Sequence, residues 1–170
     1  MKARKTWREK MITPTLPAVV PILPSARSRW RGGTKLVPSA MEVEAFMREI
    51  PEGSIATLSE MRNCLAERHN ADTTCPLLAG MFVRIAAEAG EEDARNGVPN
   101  RTPYWRVVKD DGALNPKLPG GVERQAQMLR REGWRILAGK GKKPPAVVLK
   151  DRGREPIAHT SKRSTMFVSA

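Results

Sequence analysis

Pro99-Asn100-Arg101-Thr102-Pro103-Tyr104-Trp105-Arg106-Val107-Val108 combines two prolines that fix a short loop, two adjacent aromatics to fill it, and a β-prone Val-Val pair. Working outward from it, Lys109-Asp110-Asp111-Gly112-Ala113-Leu114 follows, and Asp-Gly between apolar residues predicts a tight hairpin turn. Gly120-Gly121 then opens a helix that stops at Glu132-Gly133. Val122, Ala126 and Leu129 lie on one face of that helix, with Arg124, Gln125, Arg130 and Arg131 on the other.

On the upstream side, Asn96-Gly97-Val98-Pro99 leads into the loop. This order of parts resembles the DNA-binding domain of the O6-alkylguanine-DNA alkyltransferases, whose Pro-Cys-His-Arg-Val loop carries the cysteine that accepts the alkyl group. Asn96, Val98 and Pro99 match the family's approach to the loop without a gap. Gly120-Gly121-Val122-Glu123-Arg124 through Gly133 matches its last helix, with one residue extra between Val108 and Gly120.

Tyr104 stands at the cysteine position and Trp105 at the histidine position. A phenol with a pKa of about 10 is protonated near neutral pH and is no substitute for a thiolate, so alkyl transfer at this position is not expected. The family also includes alkyltransferase-like proteins in which the cysteine is replaced, usually by tryptophan, and which bind alkylated DNA and flag it for repair. The resemblance therefore implies a non-catalytic reader of O6-alkylguanine-type lesions that binds double-stranded DNA, with a nucleotide-excision-repair protein as a possible partner. Its implied lesion pocket comprises Asn96, Val98, Pro99, Pro103, Tyr104, Trp105, Arg106 and Val107. Stacking of an extruded base on an aromatic face contributes about 1–3 kcal/mol in single-strand binders. The alternative is that the two rings plug the vacated site.

Upstream, Ser39-Ala40-Met41-Glu42 is a capping box that starts a helix ending before Pro51. A short strand up to Thr57 precedes the helix from Ser59 to Ala66, and Asn70 to Thr74 form a turn. Pro76 suits the first position of the next, largely apolar helix, read as the recognition helix. The resemblance puts Ala87 where the family has the arginine that enters the base stack, with Arg84 one turn earlier as its replacement, and Leu58 where it has a tyrosine that rotates the target phosphate. Thr57, Ser59, Thr73, Thr74, Arg84, Ala87, Arg101 and Lys109 are the candidate DNA contacts. The expected fold is mainly α with a small β wing: a winged-helix or helix-turn-helix three-helix domain over residues 38–137. A basic, Pro-rich, disordered arm over 1–37 and a basic, largely disordered tail over 138–170 flank it.

The 170-residue chain carries a net charge of +12, which points to a polyanionic partner. Residues 1–40 hold nine Lys/Arg against one Glu and residues 135–170 nine against two, so the excess lies in the flanks. Two cysteines, Cys64 and Cys75, are too few for a disulfide framework or a four-cysteine zinc site. No cofactor or metal is expected, and a monomeric cytoplasmic protein is. The apolar run Leu16–Leu23 is broken by Pro17 and Pro21, which excludes a membrane span there. Two rival functions stay open: an active transferase using Cys75 at the start of a helix, and a general nucleic-acid binder without damage specificity.

Overall fold

Three reciprocal capping boxes set the starts of three helices in the computed structural model, which describes residues 5–23, 33–99, 101–149 and 168–169. Thr6 with Glu9 opens α1 (Trp7–Met11), Ser39 with Glu42 opens α2 (Ala40–Glu49), and Thr57 with Glu60 opens α3 (Leu58–Arg68). In each, the hydroxyl accepts from the third backbone amide of the helix while the glutamate accepts from the cap amide, so two otherwise orphaned donors are satisfied together. The Ser39 box lies where the sequence puts it, and α3 begins one residue before the predicted Ser59.

β1 (Ala18–Pro21) and β2 (Thr34–Val37) run antiparallel, and β4 (Thr73–Thr74) joins β2 in parallel. β3 (Ser54–Thr57) is central to a second sheet, parallel to β5 (Val107–Val108) and antiparallel to β8 (Val168–Ser169). α4 (Pro76–Arg95) follows β4 with its proline in the first turn, where a missing N–H costs nothing. α5 (Gly121–Arg131) ends as expected: Gly133 N–H donates to the Arg130 carbonyl and Trp134 N–H to the Leu129 carbonyl, with Gly133 at φ 88°. β6 (Ile136–Leu137) and β7 (Ala146–Val147) form the last pair.

The Asp-Gly turn forms as a type I turn with a bulge: Gly112 N–H donates to the Lys109 carbonyl, Lys109 N–H donates to the Ala113 carbonyl, and Gly112 has φ 79°. The chain beyond it pairs with β7 through an Ala113–Ala146 bridge. Phe46, Met47, Ile50, Ile55, Met61, Leu65, Leu114 and Leu129 are fully enclosed, so α2, α3, α5, β3 and the 104–108 segment share one core. Among the described residues no helix is long and apolar enough to cross a membrane.

The disordered arm expected over residues 1–37 does not describe residues 5–23 and 33–37. Met11 is buried in the core and Trp7 packs against it. Arg8 fixes α1: its guanidinium donates to both Glu44 oxygens at 2.7 and 2.8 Å, and its Nε to Asp93 at 2.9 Å. Burial pushes the Glu44 carboxyl up, but the bonds from Arg8, Thr102 and Arg48 more than reverse this and leave it at about 2, below its ordinary 4.5. Part of the flanking positive charge is therefore spent on folding. The tail expected to be disordered over 138–170 contains β7 and β8, and residues 150–167 lie outside the described residues.

Candidate nucleic-acid interface

α3 and α4 follow one another through the segment 69–75, which carries β4, and the Tyr-Trp loop packs against α4. Tyr104–Arg106 form one turn of 3-10 helix leading into β5. Gln125 of α5 ties that turn through its backbone, donating to the carbonyls of Trp105 (3.1 Å) and Val107 (2.9 Å) while accepting from Asn115 N–H. Glu132, placed just past the end of α5, accepts from Trp105 Nε1 at 2.6 Å, from Arg106 through both carboxylate oxygens, and from Gly53 N–H. Arg106 also donates to the Ile50 carbonyl at 2.7 Å. The loop is thus held by a nearly buried ion pair and by backbone bonds, with no buried charge left unpaired at Arg106.

Tyr104 is wholly enclosed. Its hydroxyl donates to Glu91 of α4 at 2.5 Å, and Arg101 ion-pairs with the same carboxylate. Burial pushes the phenol pKa above its ordinary value, opposed by the nearby Arg101 charge. The ring meets Trp105 edge-on with centroids 5.5 Å apart.

Two clefts flank the loop. One, of about 500 Å³, is lined by Arg48, Arg101, Pro103, Trp105 and Arg106. The guanidiniums of Arg101 and Arg106 sit 5.4 and 5.7 Å from the Trp105 ring centroid. The other, of about 250 Å³, is lined by Glu88, Glu91, Arg95, Pro119, Gly120 and Arg124, two of which neighbour the Tyr104 hydroxyl.

The structure separates the predicted pocket residues. Pro103, Trp105 and Arg106 line the larger cleft, whereas Tyr104 lines neither and Val107 is buried in the core. Asn96, Val98 and Pro99 are exposed around the C-terminal end of α4 and line neither cleft. Among the predicted DNA contacts, Thr57 is consumed as the α3 cap, and Thr74 donates to the Arg62 carbonyl; both are 1% exposed and cannot meet phosphate. Ala87 is fully buried against the core, so the position that the resemblance assigns to the base-stack arginine does not face outward. Ser59 is bound to Asp110 through its hydroxyl and amide. Arg84 is exposed, and Thr73, Arg101 and Lys109 are half-buried. Glu91 and Glu132 were missed by the sequence reading. Glu132 stands three residues after Leu129 and beside the helix-stopping glycine, which makes it a capping residue by pattern with nothing to indicate its second role.

Cys64 is buried in α3 with its thiol pKa raised by desolvation, as expected of a core cysteine. Cys75 is half-buried at the N-cap of α4, its amide donating to the Leu36 carbonyl. Among the described residues no cluster of three His, Cys, Asp or Glu could hold a metal.

An arginine-bearing loop packed against α4 and fixed from the end of α5 belongs to an alkyltransferase-type DNA-binding domain. Residues 38–134 match the family model described as the 6-O-methylguanine DNA methyltransferase DNA-binding domain, and the chain belongs to that family. Among solved structures, the crystal structure of S. pombe Atl1 in complex with damaged DNA containing O6-carboxymethylguanine is similar at 20% identity. The match covers 63% of this chain and 85% of that one, with a TM-score of 0.41. No curated protein matches the chain.

Proposed function

We propose that this protein binds duplex DNA in a winged-helix mode and reads O6-alkylguanine-type lesions without accepting the alkyl group. The observation that carries the proposal is the chemistry at residue 104 inside an otherwise family-like loop. Tyr104 is a protonated phenol, enclosed and hydrogen-bonded to Glu91, at the position that the resemblance assigns to the family's acceptor thiol. Trp105 offers Nε1 only as a donor, to Glu132, and cannot take a proton from a nucleophile as an imidazole would. Cys64 is buried with a raised pKa, and Cys75 sits at the start of α4, outside the 104–108 segment.

An extruded O6-alkylguanine keeps its exocyclic amine as a donor. The carboxylates of Glu88 and Glu91 in the smaller cleft are acceptors suited to that amine. Entry there requires the Tyr104 hydroxyl and Arg101 to give up Glu91. The larger cleft supplies arginines for the displaced backbone phosphate. Handing the bound lesion to excision repair completes the proposal.

Competition binding of O6-methylguanine duplex against unmodified duplex across a salt series tests it. Preference for the lesion that persists as salt rises, with no gain of about 14 Da (one CH2) on the protein, is the expected result. Equal affinity for both duplexes would support a general nucleic-acid binder instead, and a mass gain at Cys75 an active transferase.

A further inference from the structure

The outward face of α4 is in its first two turns, where Leu77, Gly80, Met81 and Arg84 share one side of the helix at i, i+3, i+4 and i+7. Leu77 is 80% exposed and Met81 45%, whereas Ala86, Ala87, Ala89 and Gly90 further along are buried. The portion of the helix that the family resemblance would send toward DNA therefore faces this protein's own core, and the preceding turns present the free surface. Gly80 lies between the two exposed apolar side chains. A Cβ built there meets nothing within 4 Å, so no packing contact requires glycine at a position where alanine would stabilise the helix. Such a position fits close approach by something outside the chain.

Cations flank the stripe. Arg84 is exposed and makes no ion pair among the described residues, and Arg62 lines a cleft of about 230 Å³ along the helix with Leu58, Pro76, Ala79, Gly80 and Asp110. Asp110 is occupied by the Ser59 hydroxyl and amide and lies 4.0 Å from Arg62. A polyanion with an apolar interior matches both the cations and the stripe. Leu and Met wedges that enter a base step, with Arg or Lys on the adjacent phosphates, are an established way of unstacking and bending duplex DNA.

We infer that Leu77 and Met81 form a wedge that enters a base step of duplex DNA, with Gly80 admitting the groove wall between them and Arg84 holding the neighbouring phosphate. The inference rests on the DNA-binding reading above and adds the residues that deform the duplex.

The test uses the full chain and a 2-aminopurine duplex labelled at its ends for energy transfer, with affinity read by anisotropy. Gly80→Ala should melt at or above the wild-type temperature yet bind about fivefold or more weakly, a combination that a purely structural glycine would not give. The double variant Leu77→Ser/Met81→Ser should lose the 2-aminopurine signal and the bend, and bind about tenfold more weakly. Variants that bind, unstack and bend like wild type would overturn the inference and leave the DNA-binding reading in place. A wild-type chain with no duplex affinity would overturn both. Self-association in wild type that the double variant abolishes, with DNA deformation unchanged, would make this face a contact between copies and overturn the wedge.

Discussion

Replacing Arg8 by alanine should show that the N-terminal segment is part of the folded domain. Arg8 joins α1 to Glu44 in α2 and Asp93 in α4, and Glu44 also accepts from Thr102, two residues before Tyr104. Lowering the Glu44 carboxyl from 4.5 to about 2 corresponds to about 3 kcal/mol in favour of its charged form. Arg8 supplies the largest of the three stabilising bonds but is 35% exposed and screened by water, so its removal should cost about 2 kcal/mol at neutral pH. Urea unfolding followed by circular dichroism measures this. Because the folded pKa lies below the unfolded one, this stability is fully present above pH 4.5 and is lost as pH falls from 4.5 toward 2. The Arg8→Ala protein should therefore have a shallower acid slope over that window, and the gap from wild type should close near its lower end. An unchanged urea midpoint at pH 7, or a constant gap down to pH 2, would refute the reasoning.

Glu132→Ala should cost about 3–4 kcal/mol by chemical denaturation, because it strands the Arg106 guanidinium at 13% exposure, while Glu132→Gln should cost less. Tyr104→Phe keeps the enclosed ring and loses the hydroxyl's bonds to Glu91 and to the Pro119 carbonyl, for a cost of about 1 kcal/mol in the same measurement. Gly112→Ala should destabilise by more than about 2 kcal/mol, since φ is 79° and the new Cβ would lie 2.7 Å from the Val147 carbonyl oxygen. Tyr104→Cys alone should gain little alkyl-acceptor activity, whereas Tyr104→Cys with Trp105→His places an imidazole over Glu132 and should gain about 14 Da from O6-methylguanine DNA by mass spectrometry.

Local chemistry explains what could be read from the sequence. The Ser39 and Glu42 box, the Asp-Gly turn, Pro76 at the start of α4 and the Gly133 stop all act within a few residues of themselves, and each appears where expected. α1 carried the same kind of signal in Thr6 and Glu9, but the surrounding lysines, arginines and prolines suggested an unfolded arm. What fixes α1 is Arg8 meeting acids 36 and 85 residues away, and no periodicity reports such a pair. Ala87 was misplaced for a related reason: matching a motif assigns its rotation on the helix by analogy, whereas α4 turns that side into the core. The enclosure of Tyr104 likewise depends on Glu91, thirteen residues upstream on another element.

The bonds from Gln125 and Glu132 reach the Tyr-Trp turn through the carbonyls of Trp105 and Val107 and through the side chains of Trp105 and Arg106. Residue 104 is held within the turn itself, its amide donating to the Thr102 carbonyl and its carbonyl accepting from Val107 N–H. Gln125 and Glu132 thus act as a frame that is indifferent to what is mounted at its centre. Such a frame leaves the side chain at residue 104 open to exchange without redesign of the backbone around it.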